Sequence, residues 1–161
     1  QSALLPTRLR ILIADDQRFG RLILRAMLAR VGGAKWTIEE AETAEAAVAR
    51  VRDQARPLDV VFMDEVFILE GGDTMGMRGT AATRAIRAFD RRVVIVGCTG
   101  SDPTTHNELA LAAGQNAVLE KPVGVAEVTR VLSELLVEQN VLQLETAPTS
   151  AAAAADTGVY A

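Results

Sequence analysis

Two periods alternate along this chain, and the alternation limits the fold more than any other property of the sequence. Short β-branched runs occur at "RLRILIA", "KWTIEEA", "LDVVFM", "RRVVIVGCT" and "NAVLE". Between them, apolar residues recur at three- and four-residue spacing, the period of a helix with one buried face. The first such segment puts Phe19, Leu22, Ile23, Ala26 and Met27 on one face, and the second Ala44, Ala47, Val48 and Val51. The third repeats the pattern with Ala82, Ala85, Ile86 and Phe89, and the last with Val125, Val128, Leu132, Leu135 and Leu136. A weaker segment runs from Thr104 to Ala113, with Pro103 suited to a helix's first turn. The chain thus reads as (βα) five times over. Strands that are continuous apolar runs are covered on both faces, which predicts an α/β fold, a doubly wound parallel five-stranded sheet.

A length of 161 residues with 49% hydrophobic content suffices for one domain with a sizeable core and is short for two. The net charge of -4, without a basic block, gives no electrostatic footprint for a phosphate backbone, so no direct nucleic-acid partner is expected. Cys98 is the single cysteine and lies inside an apolar run, which excludes a disulfide framework and a thiolate metal cluster and fits a reducing compartment. No apolar run approaches the roughly 20 residues of a membrane span, and "QSALLPTRLR" lacks the core of a signal peptide. The expectation is a cytoplasmic domain with no membrane contact of its own. The start at Gln1 suggests a segment of a longer, even membrane-bound, protein. The domain is placed at residues 8–140, after a linker over 1–7. The Pro-, Thr- and Ala-rich stretch 141–161 reads as a linker or frayed helix.

In an open parallel sheet, ligands bind beyond the carboxyl ends of the strands, where strand order reverses. Asp15 and Asp16 follow the first strand, Asp64 the third, Thr99 the fourth, and Lys121 with Pro122 the fifth. Two unit charges about 5 Å apart repel by roughly 3 kcal/mol at an effective dielectric of about 20, so three carboxylates there must take up protons or a cation. An all-oxygen donor set with room for water favours Mg²⁺. Such a site would hold the oxygens of a phosphoryl group, Lys121 and Thr99 would bind them, and Asp64 would be a carboxylate nucleophile.

"ILIADDQRFGRLILRAML", "VVFMDE", "VVIVGCTG" and "VLEKP", in that order at the strand ends, resemble the receiver (response-regulator) domain of two-component phosphorelays. The resemblance covers roughly Arg8 to Asn140. It implies a flavodoxin-like sheet with strand order 2-1-3-4-5. It also implies that Asp64 accepts a phosphoryl group from a phosphohistidine on a histidine kinase or histidine phosphotransfer protein. Asp16 and Asp64 would then ligate Mg²⁺ directly, the Val66 backbone carbonyl would add a ligand, and Asp15 would act through water. Lys121 would contact the phosphoryl group ahead of a cis Pro122, Thr99 would rotate inward as a switch, and a homodimer is compatible with the family.

Two departures stand out. Receivers usually carry Met-Pro where this chain has Phe67 and Ile68, and a glycine soon after; here the matching glycine is Gly79. The segment between is long and rich in Gly and Met, including Gly71 and Gly72, and is expected to form a mobile, extended loop that serves as lid or docking element. The usual switch aromatic of the fifth strand is replaced by Val118. Glu65 is expected to face solvent, His106 to lie on a helix surface, Cys98 to be core, and Trp36 to fill the sheet edge. The segment "DDQRFGRLIL" is similar to receivers of hybrid histidine kinases, where Gly20 is often Asn. An aspartyl-nucleophile phosphohydrolase would want a second acid at the position of Val66, and a phosphorylation-independent interaction module is the remaining alternative.

Overall fold

The computed structural model describes residues 5–72, 74–100 and 103–146. The elements are β1 (Leu9–Ala14), α1 (Arg18–Gly32), a 3-10 turn (Gly33–Lys35), β2 (Trp36–Ala41), α2 (Ala44–Arg52), β3 (Val60–Asp64), α3 (Gly79–Arg87), β4 (Val94–Thr99), α4 (Pro103–Ala113), β5 (Ala117–Glu120) and α5 (Val125–Thr146). The strands form one five-stranded sheet in the order β2-β1-β3-β4-β5, every pairing parallel. This is the flavodoxin-like order, so β1 and β3 lie side by side at the point where the order reverses.

Successive strand residues point to opposite faces, and the two cores follow from that. Ile11, Ile13, Phe62 and Val96 face one way and pack with Leu24 and Leu28 of α1 and Val128, Leu132 and Leu136 of α5. Leu12, Val61, Met63 and Ile95 face the other way and pack with Ala44, Ala47 and Val51 of α2 and Ala82 and Ile86 of α3. The expected faces of α2, α3 and α5 supply these contacts with two exceptions: Val125, in the first turn of α5, is exposed, and Phe89 lies beyond the end of α3, half exposed beneath the guanidinium of Arg52. Trp36 closes the β2 edge as expected, its indole N–H donating to the Pro6 carbonyl at 2.9 Å. The last helix continues through Thr146, past residue 140; the tail from 147 and residues 1–4 lie outside the described residues.

The first helix departs from its expected face. Arg21, Leu24 and Leu28 are buried, whereas Phe19 is 72% and Leu22 60% exposed, with Ile23 and Ala26 also outward. The cause is polar. Arg21 donates to the carbonyls of Asp15 and Asp16 at 2.8 and 3.2 Å, to Glu40 at 3.0 Å and to Glu42 at 2.8 Å. One guanidinium thereby satisfies the chain end of β1 and the acidic end of β2, and the helix turns that residue inward at the expense of its most apolar stripe. An apolar count cannot register this trade.

Arg21→Met should cost about 2–4 kcal/mol of unfolding free energy in urea, because buried carbonyls and the Glu40 carboxylate lose a donor that methionine cannot replace. A loss under ~1 kcal/mol would show that the guanidinium does not fix the orientation of α1.

Candidate functional site

The carboxyl ends of β1, β3, β4 and β5 bring Asp15, Asp16, Asp64, Thr99 and Lys121 to one edge of the sheet. Asp15 and Asp16 occupy the short connection between β1 and α1, and Asp64 is the last residue of β3, carried out of a fully buried strand. Carboxylate oxygens of Asp15, Asp16 and Asp64 all lie within 4.8 Å of one another. The Lys121 ammonium bridges two of them, at 2.8 Å from Asp15 Oδ2 and 3.2 Å from Asp64 Oδ2. Its position is fixed by the backbone: the Lys121 N–H donates to the Thr99 carbonyl at 2.7 Å, and the Lys121–Pro122 peptide is cis, as expected. Thr99 ends β4 with 1% exposure.

Each carboxylate has a distinct environment. Asp64 Oδ1 accepts from the Glu65 N–H at 2.8 Å, and Asp15 Oδ1 accepts from the Gln17 N–H at 2.7 Å. Asp15 is buried and packs where Gly20 leaves room: a Cβ on residue 20 would sit 2.8 Å from Asp15 Oδ2. Asp16 is the more open of the pair, and its Oδ2 accepts from the Ile68 N–H and the Gln17 amide, both at 3.1 Å. Burial raises the pKa of Asp64, and the neighbouring Asp15 charge adds to the rise against the pull of Lys121. Burial alone would lower that of Lys121, but its hydrogen bond to Asp15 and the charges of Asp64 and Asp15 prevail, and the pKa is raised. One ammonium against three carboxylates leaves negative charge uncompensated. An oxygen-only donor set under that charge fits a hard divalent cation such as Mg²⁺.

Glu65 contradicts the expectation of a solvent-facing side chain. It is 6% exposed, and its carboxylate accepts from the Thr80 N–H at 2.9 Å, the Thr80 hydroxyl at 3.0 Å and Arg78 Nε at 2.9 Å. It thus satisfies a free donor at the start of α3 and closes the base of the long connection. The Gly79 N–H completes the closure on the Glu65 carbonyl at 3.0 Å, and a Cβ on Gly79 would run into the Asp64 carbonyl. The local signal was present, a carboxylate ahead of "RGT", but its partners lie 13 and 15 residues away, beyond any capping motif.

The excursion between these anchors has its own ladder. The Gly76 N–H donates to the Phe67 carbonyl at 2.8 Å and the Leu69 N–H to the Thr74 carbonyl at 2.9 Å, with Ile68 paired antiparallel to Met75. Gly71 and Gly72 turn the tip at φ values of 105° and 79°, which favour glycine. Phe67 is buried and Met77 packs on the second core, while Ile68, Leu69 and Met75 face outward. The expected extension over 67–79 is therefore a small hairpin whose Ile68 N–H reaches Asp16; Asp73 is outside the described residues. Val66 is half-buried at its start, and Val118 lies half-buried on β5 opposite Gly97. Cys98 is buried, its thiol pushed up to about 12 by burial.

The raised pKa of Asp64 fixes the sign of a stability effect. The folded chain holds this proton more tightly than the unfolded chain, so the contribution is fully present below the ordinary carboxylate pKa and is lost as pH rises through the folded value. At pH 7 a negative charge at this position costs the metal-free folded chain more than it costs the unfolded one. Asp64→Asn should therefore melt a few degrees higher than the parent in metal-free buffer at pH 7, with the gap closing as the pH falls below the ordinary carboxylate range. An equal or lower melting temperature at pH 7 would contradict this.

The response regulator receiver domain family matches residues 11–133. A two-component response regulator of rice (Oryza sativa subsp. japonica) is 31% identical over 126 residues, covering 78% of this chain and 93% of that protein. The virulence sensor protein BvgS of Bordetella pertussis is 30% identical over 155 residues, 92% of this chain but 12% of the sensor's own length. A CheY-like receiver domain structure from Methanospirillum hungatei superposes with a TM-score of 0.68 at 22% identity, over 84% of this chain and 98% of that one. A receiver domain from Vibrio parahaemolyticus gives 0.71 at 15% identity, over 88% and 99%. With the match spanning most of the sheet and every strand end that carries an acid, the chain belongs to the response regulator receiver family of two-component signalling.

Proposed function

We propose that this domain is a phosphoacceptor switch, in which Asp64 takes a phosphoryl group from a phosphohistidine on a histidine kinase or histidine phosphotransfer protein. The observation that carries the reading is the setting of Asp64: it ends a rigid buried strand, 3.2 Å from the Lys121 ammonium and within 4.8 Å of two further carboxylates. Asp16 and Asp64 would hold Mg²⁺ directly, with the Val66 carbonyl as a further ligand and Asp15 acting through water. When bound, the cation neutralises the acids and shields the phosphoryl oxygens.

The rest is performed by the chain. An ionised Asp64 oxygen attacks phosphorus, the phosphorus–nitrogen bond breaks, and its electron pair leaves on the donor's imidazole. Lys121 transfers its contact from the Asp64 carboxylate to a phosphoryl oxygen, and the Thr99 hydroxyl binds a second oxygen; its inward turn is the switch. The domain assists its own phosphorylation and dephosphorylation and acts on no outside substrate. Val66 supplies no second acid two residues after Asp64, which disfavours a phosphohydrolase. The donor docks on the outward apolar stripe of α1, Phe19 and Leu22, because that face adjoins the cavity shared by Gly20, Ile23 and Asp64 and so brings a phosphohistidine within reach. The similarity to BvgS and to the sensor protein EvgS of Escherichia coli supports a host of the sensor type, of which this chain spans about a tenth.

Intact mass after incubation with Mg²⁺ and phosphoramidate should show a single labile phosphoryl adduct, absent without Mg²⁺ and absent in Asp64→Asn. An adduct that survives in Asp64→Asn, or none in the parent, would refute the assignment. The double substitution Phe19→Ala and Leu22→Ala should slow transfer from a phosphohistidine protein roughly tenfold or more while leaving the phosphoramidate reaction unchanged. Equal slowing of both reactions would place the effect in the pocket and not at a docking surface.

A further inference from the structure

The hairpin after β3 brings a backbone donor to the third acid of the cluster. Asp15 and Asp64 are each held twice, by the Lys121 ammonium and by a neighbouring peptide N–H. Asp16 has no ion pair among the described residues. Its main chain is fixed, because its carbonyl accepts from Arg21 at 3.2 Å. Its half-buried side chain depends on two donors to Oδ2 at 3.1 Å, the amide of exposed Gln17 and the N–H of Ile68, 52 residues along the chain. The ladder explains why that N–H is available. Residues of an antiparallel pair alternate between facing their partner and facing away. The Phe67 carbonyl and the Leu69 N–H face inward, to Gly76 and Thr74, so the Ile68 N–H faces outward, to Asp16. Both legs are anchored: Phe67 is buried, the Met77 N–H donates to Glu45 at 3.2 Å, and the Met77 side chain packs on the second core. Proline, the residue receivers usually carry at this position, has no N–H to give.

From this we infer that the Ile68 N–H is a positioning group for the divalent-cation site, holding the Asp16 carboxylate in place before the ion arrives and thereby setting affinity and ion selectivity. The inference rests on the reading of Asp16 as a direct ligand. A side chain that must be ordered on binding loses rotamer freedom, and one already held loses less. Both bonds go to Oδ2, and Oδ1 accepts none among the described residues, so the carboxylate keeps an oxygen for the ion while the hairpin holds the other. As the ion binds, the exposed Gln17 amide exchanges Asp16 for water and the Ile68 bond stays. Mg²⁺ demands near-octahedral placement of its ligands, whereas Ca²⁺ accepts irregular ones. Fixing Asp16 therefore favours the smaller ion.

Mg²⁺ and Ca²⁺, titrated separately into the full chain and followed by amide chemical shifts, test this. Ile68→Pro deletes the donor at an exposed position and should raise the Kd for Mg²⁺ about fivefold, the scale of one exposed hydrogen bond, and that for Ca²⁺ less than about twofold. Met75→Pro, on the facing strand where the N–H has no partner among the described residues, should leave both within about twofold. Where Ile68→Pro opens the hairpin, seen as lost hydrogen-exchange protection at Leu69 and Gly76, an ester in place of the 67–68 peptide removes the same N–H and should give the same result. An unchanged Kd for Mg²⁺ without the donor, equal weakening of the two ions, or the same loss in Met75→Pro would overturn the inference. A parent chain that binds neither ion would overturn the cation site itself, and the inference with it.

Discussion

The bridge from the Lys121 ammonium to Asp15 and Asp64 is the interaction on which the rest of the architecture depends. Without that cation, three carboxylates delivered to one sheet edge by adjacent parallel strands would repel one another with no cationic partner among the hydrogen bonds described for them. With it, the cluster remains short of positive charge, which burial makes costly enough to raise the pKa of Asp64. A sheet in the order β2-β1-β3-β4-β5 puts β1 and β3 together and β5 at the far edge, so Lys121 must reach back across β4. Its backbone bond to the Thr99 carbonyl makes that reach reproducible and links the ammonium to the residue proposed as the switch.

Two further polar clusters hold the frame around this pocket. Arg21 draws α1 onto the ends of β1 and β2, and Glu65 binds the start of α3 to the end of β3. Both put a charged side chain into the interior at a strand end, where backbone groups run out of sheet partners. Arg21 also has a consequence at the surface, because its inward turn sends Phe19 and Leu22 outward beside the acid pocket. One residue's hydrogen bonding thus determines which face of α1 turns outward.

The parts legible in the sequence were those governed by period and by strand ends. Continuous apolar runs such as Val60–Met63 announced parallel strands, and the acids and lysine after them fell where an open sheet exposes its carboxyl edge. The faces of α2 and α5 followed from spacing because only apolar packing acts there. Arg21 and Glu65 were not legible: each owes its burial to partners brought near by the fold, Glu40 and Glu42 for one and Thr80 and Arg78 for the other. The hairpin over 67–79 was visible as extra length and as paired glycines, while its ladder and the Ile68 contact to Asp16 required coordinates.

The cluster of Asp15, Asp16 and Asp64 fits an oxygen-lined site for a divalent cation. A Mg²⁺ titration of the parent chain followed by amide chemical shifts tests it most directly. Saturable shifts should concentrate at residues 15–16, 64–68 and 121, with the Ile68 amide moving as Asp16 changes partner. No saturation at millimolar Mg²⁺, or shifts scattered over the acidic surface away from these residues, would contradict it.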